Sequence, residues 1–161
     1  MKIMRNDSGL TLAEMMVVIA IIGICSAIAV PNFIGWLPTY RLNSATNDLL
    51  GAMQSARLRA LKDNASVVIL FNPGADSYSV FLDNGAGPNS GNGIQDGDEP
   101  TIRSGGMPAG VNLNNTTLAG NTLRFDARGF PNGAGGTVNL LNTKNDTKTI
   151  TVNATGNSRA S

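Results

Sequence analysis

Hydrophobic and polar positions divide this chain into three stretches with different periods. From Leu10 to Val30, 21 residues run without a charge except Glu14. That matches the ~20 apolar residues a helix needs to cross the ~30 Å hydrocarbon layer of a bilayer. Beyond Pro31 and Pro38 the apolar positions thin to one face, with Leu42, Ala45, Leu49, Met53, Ala56 and Ala60 recurring three and four residues apart. Arg41, Asn47, Asp48, Gln54, Arg57 and Lys62 fill much of the remainder. The pattern predicts a helix continuing to about Asn64, its second half laying an apolar stripe on a small core. Proline removes a backbone donor and crowds the carbonyl four residues back, so a kink or local melting is expected at Pro31, and Pro38 invites another.

After Asn64 the period shortens. Val67–Phe71 and Tyr78–Leu82 are β-rich runs separated by the turn Asn72-Pro73-Gly74-Ala75-Asp76. Weaker runs follow at Thr101–Arg103, Val111–Leu113, Thr122–Phe125, Thr137–Leu141 and Lys148–Val152, with Asn142–Asp146 as a hairpin loop before the last. Thr147–Val152 alternates polar and apolar, as a strand with one wet face does. The fold class is α+β: a long N-terminal helix, transmembrane in its first half and amphipathic in its second, packed on an antiparallel sheet or pair of sheets.

Charge and composition narrow the function. The 12 Lys and Arg against 11 Asp and Glu give a net charge of +1. Without Lys2, Arg5 and Asp7 the remainder carries ten of each sign, so no basic excess marks a nucleic-acid binder. Histidine is absent, which removes the commonest general base and a common metal ligand. Neither a Ser/His/Asp nor a Cys/His arrangement can form, and no Gly-Lys-Ser phosphate loop is present. The chain reads as no enzyme. Cys25, the single cysteine, lies inside the apolar span and cannot close an intrachain disulfide.

The apolar span itself demands explanation. A carboxylate one turn into it costs on the order of 2.5–3.5 kcal/mol at mid-membrane by insertion scales. Glu14 therefore calls for a partner, and an α-amino group freed by cutting between Gly9 and Leu10, on this chain or a neighbour, would supply one. Gly9, then apolar Leu10, then Glu14 directly before an apolar run resemble the class III signal of type IV pilins and type II secretion pseudopilins. The resemblance implies that residues 1–9, with Lys2 and Arg5, form a leader removed by prepilin peptidase. It also implies N-methylation of Leu10 and polymerisation of the helix, through Glu14, into a filament core. Phe is usual after the cut; here it is Leu. Two other readings compete. An ordinary signal peptide would use Ala27-Ile28-Ala29 as its A-x-A site, but Glu14 interrupts its apolar region and the run exceeds 7–15 residues. A plain anchor leaves Gly9 and Glu14 unexplained, and Ile24 before Cys25 disfavours a lipoprotein.

The second half narrows the resemblance. A helix, a β-rich domain, Phe125-Asp126-x-x-Gly129, a hairpin and a Gly-x-x-Arg tail resemble the GspH/FimT group of minor pseudopilins and minor pilins. The expectation is a minor pseudopilin of a type II secretion system, single-pass in the inner membrane, with residues 31–64 continuing the helix and 65–161 forming a periplasmic β-rich domain. Its partners would be other pilins or pseudopilins, prepilin peptidase and the inner-membrane assembly platform. A minor type IV pilin, for assembly or DNA uptake, is the alternative, and an exported binding module the third. DNA-binding members of the group carry a Gly-Arg-x-Arg tail, whereas Gly156-Asn157-Ser158-Arg159 keeps one arginine of the two. Arg159, Lys148 and Arg128 are the candidate DNA contacts, with Arg124 and Lys144 beside them, and nucleic acid is not favoured.

Two further clusters carry candidate chemistry. Residues 83–99 are the most polar and Gly-rich stretch, and Asp83, Asn89, Asn92, Asp96, Asp98 and Glu99 offer hard oxygen ligands suited to calcium. Pro88 stands where an EF-hand would place its first Asp, and a solvated loop is the plainer reading; no cofactor is expected otherwise. Arg57, Arg59 and Lys62 form a basic cluster late in the helix, read as a solvated face that could meet acidic groups on a neighbouring subunit. Trp36 and Tyr40 follow the span, where amphipathic rings favour the headgroup region.

Overall fold

A computed structural model describes residues 11–84, 91–97 and 99–161. The chain divides into two compact units, Met1–Leu37 and Pro38–Ser161. Helix α1 runs Leu12–Asp63. The local melting expected at Pro31 does not occur, and residues around Pro31 and Pro38 are all helical. Each proline removes only one donor from a ladder whose neighbouring bonds persist. The helix stops at Asn64, whose φ of 50° is left-handed. The Ala65 amide then donates back to the Ala60 carbonyl at 3.2 Å, a Schellman-type end with Asn in the glycine position.

In the first unit every described residue from Thr11 to Ile34 is exposed, the large apolar side chains included. By length and composition this helix can cross a membrane. The Phe33 and Trp36 rings lie 6.4 Å apart, tilted at 49°.

Among its described residues the second unit has eight strands in two antiparallel four-stranded sheets. Strands β1 (Ser66–Asn72), β2 (Ser77–Asp83), β3 (Thr101–Gly106) and β5 (Thr122–Phe125) form the first, in order β3-β2-β1-β5. Strands β4 (Val111–Thr116), β6 (Gly135–Asn142), β7 (Thr147–Asn153) and β8 (Ser158–Ala160) form the second, in order β4-β6-β7-β8. The α+β expectation holds, and the choice between one sheet and two resolves as two. The tail, read only as a motif, is the edge strand β8.

One core joins α1 to both sheets. Leu42, Ala45, Leu49, Ala52, Met53, Ala56 and Ala60 face Val67, Ile69, Phe71, Val80, Phe125, Leu140, Ile150 and Val152 among others, all within one buried cluster. The alanines allow the helix backbone to approach the sheets closely. Asp76, left-handed at φ 46° in the β1–β2 turn, ties the sheets together: its carboxylate accepts from the Leu113 amide at 2.8 Å and its carbonyl from Met107 at 2.7 Å.

A second, smaller apolar patch lies on the other face of the first sheet. Val68 and Phe81 are paired across β1 and β2 and buried, yet stand outside the main core cluster. Alternation along the strands places Asp83 and Arg124 on this same face.

Candidate functional site

Glu14 is held by the start of its own helix. The Thr11 amide and hydroxyl donate to its carboxylate at 2.9 and 3.0 Å, and the Glu14 amide donates to the Thr11 hydroxyl at 3.2 Å. This is a reciprocal capping box, satisfying backbone donors that a helix start leaves open. Thr-x-x-Glu at this offset is thus a local structural signal as well as a family one. Gly9 and Leu10 lie outside the described residues.

The polar loop is organised from its ends. Asp83 is buried, and its two carboxylate oxygens accept from the Gly91 and Gly93 amides at 2.7 and 2.9 Å. Arg124 stands 4.0 Å from the same carboxylate and donates to the Gly91 carbonyl. A buried charge needs such pairing to be tolerated. Arg124, expected in a surface basic patch, is instead the counter-ion of Asp83. Asn92 accepts from the Ile94 amide at 2.7 Å and donates to Asp96 at 3.1 Å, while Glu99 accepts from the Asp96 amide at 3.1 Å. Asn89 and Asp98 lie outside the described residues. Among the described residues no three acidic, cysteine or histidine side chains converge as a metal site. What the structure does bring together is Asp83, Arg124 and the Gly91 and Gly93 amides, on the sheet face that carries Val68 and Phe81.

The candidate DNA contacts do not form one patch. Arg159 lies opposite Thr151 across β8 and β7 and shares its exposed face. Lys148, three residues from Thr151, falls on the opposite face of the same sheet, in line with Ile150 and Val152. Arg128 is engaged in its own loop, 2.9 Å from Asp126 and 5.7 Å from the Phe130 ring centre. Asp126 also accepts from the Arg128 and Phe130 amides, both at 2.9 Å. The Phe130 amide bond, followed by the Arg128 guanidinium and amide, holds the Asp126 carboxyl below the usual carboxylate range.

The strongest polar constellation belongs to a residue expected on a solvated face that could meet a neighbouring subunit. Arg57 donates from Nε to the Gly129 carbonyl at 2.9 Å, from Nη1 to Asn157 Oδ1 at 2.8 Å and from Nη2 to the Thr155 carbonyl at 3.0 Å. It thereby fastens α1 to both weaker family-like motifs, the Phe125-Asp126-x-x-Gly129 loop and the Gly156-x-x-Arg159 tail. Both glycines are dictated by this junction. Gly156 has φ +80°, and a Cβ there would sit 2.5 Å from the Gly129 carbonyl oxygen; Gly129 has φ +75°, and a Cβ there would press on Leu61 and Arg57. Asn153 completes the turn by accepting from the Thr155 amide, the Thr155 hydroxyl and the Asn157 amide. A sequence signal existed: Arg57 stands one turn after Met53 and one before Leu61, on the margin of the apolar stripe. The other members of the basic cluster differ. Arg59 pairs with Asp63 four residues on, and Lys62 sits in the last turn of α1.

A helix whose first half is apolar all round, capped by Thr11 and Glu14, and whose second half is embedded in a two-sheet β domain, defines a type IV pilin-like protein. The chain belongs to the GspH family, whose model, described as type II transport protein GspH, matches residues 45–156. The prokaryotic N-terminal methylation motif matches residues 4–30. The pilin-like protein PilA1 of Thermus thermophilus is 30% identical over 126 residues, 76% of this chain and 78% of that protein. The fold is similar to that of the type IV minor pilin FimU of Pseudomonas aeruginosa, with a TM-score of 0.59 and 16% identity over 76% of this chain and 90% of that one. It is also similar to the minor pseudopilin EpsH from the type 2 secretion system of Vibrio cholerae, with a TM-score of 0.56 and 10% identity over 75% and 96%.

Proposed function

We propose that this protein is a minor pseudopilin of a type II secretion system. Its leader, residues 1–9, is cut by prepilin peptidase after Gly9, and the new terminus at Leu10 is N-methylated. Residues 10–30 hold it in the inner membrane, and the β domain works in the periplasm. Lys2 and Arg5 before the span support that orientation through the positive-inside tendency. The observation that carries the reading is the type II transport family match across residues 45–156. After cleavage, Glu14 would exchange the Thr11 amide for a free amino terminus, its own or a neighbour's, as subunits are drawn from the assembly platform into the filament. The chain is a subunit and a processing substrate, with no catalytic role.

A minor type IV pilin is the second reading, favoured by the likeness to PilA1 and FimU. Deleting the gene in its own host separates the two. The expected result is loss of folded exoproteins from the medium with surface pili intact, restored by the wild-type chain and poorly by Glu14→Ala. Intact secretion with lost pili or DNA uptake would transfer the assignment to the second reading.

A further inference from the structure

Two arginines of α1 bond neutral acceptors, Arg41 through one bond to the Ala109 carbonyl and Arg57 through three. Arg59, Arg103, Arg124 and Arg128 each face a carboxylate. Arg57 is half-buried, and all three of its bonds go to neutral acceptors. No carboxylate among the described residues pairs with it. A guanidinium has five N–H groups, so two remain for a further acceptor. Beside it opens a cleft of about 450 Å³ lined by Gln54, Arg57, Leu58, Gly156, Asn157 and Ser158. Gln54 and Ser158 add neutral polar groups, and Leu58, 65% exposed, forms an apolar wall. The cleft thus offers an uncompensated cation, short polar groups and one apolar surface, with no acidic residue in its lining.

We propose that this cleft receives an Asp or Glu side chain, flanked by an apolar residue, from a different pilin-like subunit of the filament. The inference rests on the filament reading above. On the filament reading this chain is a minor subunit whose neighbours are mainly other pilin-like chains, so the carboxylate is assigned to one of those rather than to a second copy. Duplex DNA suits the cleft poorly, since phosphate binding draws on several cations together and here one stands beside an apolar wall. A carboxylate entering the cleft would complete a charge-assisted, forked pair, which fixes partner and register as well as adding attraction.

The test uses the full-length chain in its own host, with p-benzoylphenylalanine replacing Leu58 in one strain and Ile22 in another. After irradiation, adducts are mapped to peptides by mass spectrometry. The expected Leu58 adduct lies on another pilin-like subunit within a few residues of an Asp or Glu. Gln54→Glu, which sets a carboxylate beside Arg57 without removing its three bonds, should abolish that adduct and spare the one at Ile22. Changing the mapped carboxylate to its amide should act like Gln54→Glu. An adduct on a second copy, on DNA, or indifferent to Gln54→Glu overturns the proposal, as does an Ile22 adduct with none at Leu58. Loss of adducts at both positions overturns the filament reading together with this one.

Discussion

The two halves of α1 obey different rules, although one helix contains both. From Leu12 to Ile34 the apolar residues circle the helix and remain exposed. From Leu42 to Ala60 most of them hold one face and are buried against this chain's own sheets, with Leu50 partly buried and Leu58 exposed. In the second half, burial by the domain explains the sequence. In the first the described side chains are exposed, so their apolarity answers to a surrounding medium, lipid or other helices. The polar residues divide the same way. Arg57 and Asp48 in the second half reach partners on the β domain, whereas Glu14 in the first bonds only within its own turn.

The largest effect separating the halves should come from matched truncations. Leu49 is wholly buried, and Leu49→Ala should destabilise the β domain by about 2–5 kcal/mol, the range for buried leucines. Ile21 is 55% exposed, and Ile21→Ala should leave the domain's unfolding transition in place. Thermal melts of the detergent-purified full chain check this; equal losses would break the comparison.

Next in size is the Arg57 junction. Arg57→Ala removes three hydrogen bonds from a charged donor and should cost about 1.5–3 kcal/mol, with Arg57→Lys recovering little because an ammonium cannot reproduce the fork. Gly156→Ala should cost roughly 1–3 kcal/mol through left-handed strain and crowding against Gly129. The same melts measure both, and a fully stable Arg57→Ala would return Arg57 to ordinary surface.

At this junction the sequence marked only the place of Arg57 on the margin of the apolar stripe, not its partners. Helix and strand positions were legible because burial imposes its period on residues such as Leu49, Met53, Ile150 and Val152. The N-terminal methylation motif, with Glu14, was legible because it is contiguous in sequence. Arg57 bonds Gly129 and Asn157 across 72 and 100 residues of chain, and no local pattern records such a meeting. The same holds for Asp83 and Arg124: each looked like surface chemistry, a calcium ligand and a basic patch, until β1 brought their strands onto one face. Lys148 and Arg159 show the reverse, with nearness in sequence undone by strand alternation.

The smallest effect should be electrostatic. The folded Asp126 carboxyl lies below its ordinary range, so its contribution to stability is complete above the unfolded pKa of ~3.9 and is lost as pH falls through the folded value. Asp126→Asn should therefore reduce the melting temperature slightly at neutral pH and flatten part of its decline in acid. Because Arg128 is 80% exposed, salt should screen much of the difference. A mutant whose acid decline matches wild type would remove Asp126 from the account.

The central claim, that the first half of α1 is a processed filament helix and the second a domain helix, is tested most directly by the intact mass of the protein from the membrane fraction of its own host. The account predicts a chain beginning at Leu10 and carrying one methyl group. A chain retaining Met1, or one beginning at Val30 after Ala27-Ile28-Ala29, would contradict it.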